Sequence, residues 1–167
     1  DERTFAAAPA RPAPEIASAD LTDAVLLLAC WGTPRGTGMR LPDPLPADAV
    51  RDAERTLRSL DAIDGDGRVT TGGRALAAVP TDPRLARALL VGTQRVGQQR
   101  AVETVAALGL DLRPPQADFA QALRDLRRSP SAHRDAWQRD VTRLRRFVAA
   151  LNGAEASPAD AVGITIA

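Results

Sequence analysis

Apolar side chains recur at helical spacing through most of the chain. Leu21, Ala24, Val25, Leu28 and Ala29 predict a helix capped by Asp20 and running to about Trp31, where Gly32-Thr33-Pro34 stops it. A Gly- and Pro-rich stretch follows to Pro46. Val50, Ala53, Leu57 and Leu60 then mark one face of a second helix, Ala47 to Leu60, whose other face carries Arg51, Asp52, Arg55 and Arg58. The period changes after it. Ala62-Ile63-Asp64, a Gly65-Asp66-Gly67 turn and Arg68-Val69-Thr70 read as a short β hairpin, with glycine able to supply positive φ at the turn. Thr70 or Thr71 caps a short helix through Val79.

Beyond Pro80 the pattern is helical throughout: Pro83 to about Thr93, Gln98 to Leu108, Ala117 to Arg128 and Ala136 to Leu151. The last has the cleanest stripe, Trp137, Val141, Leu144, Val148 and Leu151, with Arg139, Arg143 and Arg146 on the opposite face. The predicted fold class is mainly α, a winged helix with a short β hairpin followed by a small helical bundle. Repeated proline makes residues 1–13 a linker. Residues 14–80 form the winged-helix part and 81–153 the bundle. Residues 154–167 read as a tail leading into a further element.

Composition fits this picture. Hydrophobic residues make up 44% of the 167 positions and aromatics 3%, which favours helix packing by Ala, Leu and Val over an aromatic-rich sandwich. Net charge is +1, but residues 1 to 82 carry 9 Arg against 13 acids and residues 83 to 167 carry 13 Arg against 8. The segment Arg113 to Arg146 holds 9 Arg against 4 acids, enough to attract a phosphate backbone. A solvated helix face, braced by pairs such as Asp140 with Arg143, is the other reading. All basic residues are Arg, which fits a GC-rich coding bias. The single Cys30 allows no internal disulfide and, on an apolar helix, is expected to be a buried thiol. A cytoplasmic location fits it. No apolar run approaches the roughly 18 residues of a membrane span.

Several chemistries find no support. Aligning Gly67 with the glycine of a calcium loop places Ala62 and Gly73 where carboxylates are needed, so Asp64 and Asp66 belong to a solvated turn. One Cys and one His cannot build a zinc site. Ser131, His133 and Asp135 crowd into one polar loop, whereas a catalytic triad is assembled through the fold. A phosphate loop ending in lysine is impossible in a chain without lysine. No catalytic, cofactor-binding or metal-binding residue is assigned.

The ordered pieces PEI, ADLT, ACWG, DPLP, DGRVT, GRALAAVP and DPRLARALL form a specific combination across residues 14–152. In this order they resemble the region after the motor domains of DEAH-box RNA helicases, in the bacterial HrpB branch. Leu45 stands where many relatives have a third consecutive proline. The resemblance implies a fragment of a larger ATP-dependent enzyme, in which a winged helix packs on the second of two RecA-like domains and a ratchet-like bundle closes the RNA channel. ATP and Mg would belong to the upstream motor domains, with no cofactor in this fragment. The implied partners are those motor domains and single-stranded RNA, bound weakly by the fragment alone, with no membrane. Arg124, Arg127, Arg128, Arg139, Arg143 and Arg146 would contact the RNA.

The alternative is a winged-helix DNA-binding transcriptional regulator with a helical dimerisation domain. It requires a basic recognition helix. In the second helix Asp48, Asp52 and Glu54 balance the arginines, which suits a protein-facing scaffold better than a groove reader. A pure protein-interaction module is a third reading.

Overall fold

The computed structural model describes residues 19–110, 112 and 118–155, with side chains as far as Leu151. The expected linker at 1–13 and the tail beyond Glu155 lie outside the described residues. The chain divides into two compact units, Asp1–Ala77 and Ala78–Ala167.

In the first unit, α1 (Thr22–Cys30) packs on α2 (Ala47–Ser59) and on a 3-10 turn at Pro34–Gly36. The capping position falls on Leu21, which has no side-chain cap, and the Asp20 carboxylate one residue earlier accepts from the Thr22 N–H. The buried face of α1 is Leu21, Thr22, Val25, Leu26, Leu28 and Ala29, so Ala24 is exposed and Leu26 takes the core position expected of it. An uninterrupted apolar run offers no polar residue to fix the phase. On α2, Val50, Ala53 and Leu57 are buried as the spacing predicts, and Leu26 and Leu57 are completely covered. Each such leucine contributes about 1.5–3 kcal/mol by leaving water.

Where a hairpin was expected, the described residues hold one antiparallel bridge, Ile63 to Val69, and no extended strand. The cause is the brevity of its arms. Asp64 N–H donates to the Arg68 carbonyl (2.9 Å) and Thr70 N–H to the Ala62 carbonyl (3.0 Å), and then the chain turns into a helix. The Asp64 carboxylate accepts from the Asp66 and Arg68 N–H groups, so this acid serves the turn. Gly67 sits at φ +82, the left-handed region that favours glycine.

Thr70 then starts α3 (Thr71–Ala78): its hydroxyl accepts from the Gly73 N–H at 2.9 Å. Gly73 is forced by contact. A Cβ there would lie 2.0 Å from the Ala62 carbonyl oxygen and 2.9 Å from Val69 Cγ2. Only hydrogen lets α3 seat against the bridge, with Leu76 buried beneath it.

The second unit is helical: α4 (Pro83–Val96), α5 (Gln98–Leu108), α6 (Phe119–Arg128) and α7 (Ala132–Glu155). Asp82 caps α4 by accepting from Arg84 and Leu85 N–H, with Pro83 in the first turn where no donor is needed. Asp118 caps α6 through the Gln121 N–H. The Ser131 hydroxyl accepts from the Arg134 N–H at the start of α7. That explains why α7 begins four residues before the expected Ala136: the cap supports a polar first turn that periodicity ignores. α5 packs on α4 and α7, and α6 packs on α7. Leu89, Val102 and Leu144 are among the largest fully buried side chains of this core, joined by Val105, Leu126, Trp137, Val141 and Val148.

Candidate nucleic-acid interface

α7 separates a buried apolar side from an exposed polar one. Trp137, Val141, Leu144 and Val148 are buried along one side, as the stripe predicts, and Leu151 is half-buried. Arg139, Arg143 and Arg146 are exposed on the other side. At 1.5 Å of rise per residue, they stand about 6 and 4.5 Å apart along the axis. They line an open groove of about 740 Å³ together with Gln138, Thr142 and the half-buried Phe147. Arg143 lies 2.9 Å from Asp140. Arg139 and Arg146 make no ion pair with another described residue, and Asp135 lines the same groove.

The other expected contacts divide. Arg128 is exposed at the end of α6. Arg124 donates to Gln121 Oε1 at 3.0 and 2.7 Å and lies 3.9 Å from Asp118. Arg127 is exposed but tied to a buried acid on α5. Its guanidinium makes two hydrogen bonds to Glu103 Oε2, at 3.1 and 2.6 Å. Glu103 is 9% exposed and also accepts from Gln99. Burial pushes its carboxyl up, but the hydrogen bonds from Gln99 and Arg127 and the nearby Arg145 charge outweigh that and hold it below the usual range. The Glu103 backbone carbonyl accepts from Trp137 Nε1 at 2.9 Å, so this one residue ties α5 to both α6 and α7. Arg127 and Glu103 are 24 residues apart, and neither helix pattern alone pairs them.

The first unit holds a buried acid that the sequence reading counted only as one of the charges balancing the arginines of the second helix. Glu54 is 5% exposed and accepts from Arg35 Nε (2.6 Å), Arg35 NH2 (3.1 Å) and Arg58 NH2 (2.9 Å). The Arg35 hydrogen bond leads in holding its carboxyl below the usual range, against burial and with help from Arg58. Arg35 adopts φ +60, so the bidentate grip sits on strained backbone. Glu54 flanks a groove of about 830 Å³ walled by Met39, Leu41, Leu45 and Val50. Arg51 pairs with Asp48 and Arg55 with Asp52 within α2. A helix whose arginines are matched by its own acids is a poor reader of duplex DNA.

Cys30 is half-buried, not fully buried as expected; burial pushes its thiol up, opposed by Arg74. Among the described residues no group of three His, Cys, Asp or Glu side chains could hold a metal ion. No helix among them is long and apolar enough to cross a membrane.

No family model matches the chain. It is 31% identical over 137 residues to the ATP-dependent RNA helicase HrpB of Escherichia coli, an alignment covering 82% of this chain and 16% of that protein. It is 33% identical over 108 residues to the ATP-dependent RNA helicase DEAH13 of Arabidopsis thaliana, covering 58% of this chain and 9% of the relative. The crystal structure of the E. coli DExH-box NTPase HrpB superposes with a TM-score of 0.70 at 28% identity, over 86% of this chain and 17% of that one. The chain is a HrpB-like C-terminal region of the DEAH-box helicase family. It spans less than a fifth of the length of each of these relatives. As an accessory region of such a helicase, it matches HrpB across both compact units and carries a row of exposed arginines on α7.

Proposed function

We propose that this accessory region couples the RecA-like motor domains of an ATP-dependent RNA helicase to single-stranded RNA. ATP and Mg belong to those motor domains. In this reading residues 14–80 are the winged helix that packs on the motor, its wing shortened to the Ile63–Val69 bridge. Residues 81–153 are the ratchet-like bundle that walls the RNA channel. The parent enzyme works in the cytoplasm. The observation that carries the reading is the arginine face of α7, set opposite a buried stripe that fixes the helix in place.

The test is the salt dependence of RNA binding. The chain should bind labelled oligo(U) with an affinity of roughly 10⁻⁴ to 10⁻⁶ M and little sequence preference, as non-specific contacts do. Changing Arg139, Arg143 and Arg146 together to Ala should flatten the plot of log affinity against log salt by about 2, at ~0.7 per phosphate contact. The helix should persist, because Ala favours helix and the buried stripe is untouched. Equal slopes for parent and folded variant would reduce the arginines to a solvated face.

A further inference from the structure

The groove on α7 contains something a phosphate track does not need. The chain has three Phe, two Trp and no Tyr, and one of these few aromatic rings, Phe147, lines the arginine groove. It is half-buried, so part of it meets solvent, while Trp137 on the opposite face is 6% exposed and spent on the core. Phe147 directly follows Arg146 and lies four residues, about one turn, beyond Arg143. Gln138 and Thr142 add hydrogen-bonding groups to the same walls, and the volume of about 740 Å³ is in the range of small-ligand clefts.

We propose that this groove is a base-stacking subsite, in which Phe147 receives one nucleobase of a single strand while Arg139 and Arg146 hold the flanking phosphates. The inference rests on the nucleic-acid reading above and deepens it. Charge complementarity selects the occupant: the groove presents three guanidinium groups against the carboxylate of Asp135. An apolar ring beside cations suits a base next to a phosphate, because every base has a π face and each nucleotide carries one negative charge. A duplex does not fit this scheme, since its bases are already stacked. An acidic peptide would satisfy the arginines but gain nothing from the ring.

The test compares ligands first and variants second, on the whole chain. Oligo(A) should bind about five- to hundredfold more tightly than an abasic ribose-phosphate oligomer of equal length and charge, the range for one stacked base. Phe147→Leu keeps apolar bulk without a π face and should close that gap, with affinity for the abasic oligomer unchanged. Phe147→Trp should keep the gap. Far-UV circular dichroism checks the helix in each, and if Phe147→Leu loses helix the comparison of parent with Phe147→Trp still decides. Equal affinity for the two oligomers, with a salt slope that the triple arginine change flattens, would overturn the stacking subsite and leave the phosphate reading standing. A salt slope indifferent to the arginines would overturn both.

Discussion

Gly73→Ala tests whether the bridge and α3 form one packed unit. The added Cβ would sit 2.0 Å from the Ala62 carbonyl oxygen and 2.8 Å from its carbon, roughly 1 Å inside any tolerable approach to the oxygen. That carbonyl has little room to retreat, because it accepts from Thr70 N–H (3.0 Å) and from the Thr70 hydroxyl (3.2 Å). Overpacking of this kind costs about 1–3 kcal/mol. Loosening a hydrogen bond adds about 1 kcal/mol. Replacing helical Gly with Ala returns only about 0.5–1 kcal/mol. The net loss should be about 1–3.5 kcal/mol, with the melting of a unit this size falling by about 4–8 °C for each kcal/mol. Gly72→Ala supplies the control. Its Cβ would find the Asp61 carbonyl at 3.5 Å and Thr70 Oγ1 at 3.6 Å, ordinary contacts, so it should be neutral or slightly stabilising. Urea unfolding followed by circular dichroism gives the size of the effect, and amide exchange at Ala62, Thr70 and Gly73 localises it. Equal midpoints for the two variants would refute the packing argument.

Two further outcomes follow from the buried acids. Glu54 has a lowered carboxyl in the folded chain, so its stabilising contribution is present above the unfolded carboxylate pKa and is lost as pH falls through the folded one. Glu54→Gln should therefore cost on the order of 2 kcal/mol at pH 7, and the gap to the parent should narrow in acid; a gap independent of pH between 7 and 3 would contradict this. Arg127→Ala should lower stability by about 1 kcal/mol, discounted because the side chain is 46% exposed, and leave the salt slope for RNA unchanged. A flattened slope would show that Arg127 meets phosphate after all.

Much of the fold was legible because local signals agreed. Asp82-Pro83 marks the start of α4 by chemistry as well as period, and the α7 stripe alternates cleanly enough to place Trp137, Val141, Leu144 and Val148 in the core. Where one signal stood alone, the reading slipped. The run Val25 to Cys30 left the phase of α1 open, and Leu26 took the core position given to Ala24. Three-residue arms around Gly65-Asp66-Gly67 suggested a hairpin, but they support a single bridge. The arginine face of the candidate site was visible in the pattern, since exposure on one helix is a local property. The fates of Arg127 and Glu54 were not, because their partners, Glu103 and Arg35, lie 24 and 19 residues away and are joined only by tertiary packing.

Glu103 has a mechanical consequence. Its carbonyl holds the Trp137 indole of α7 and its carboxylate holds Arg127 of α6, so one residue of α5 anchors two other helices. A strand drawn along the outer face of α7 would load the helix sideways. The Trp137 indole and the packing of α7 on α5 and α6 would share that load, with the Arg127 guanidinium joining α6 to α5. The arginine row would then be backed by the α5–α7 packing and by these two side-chain ties together.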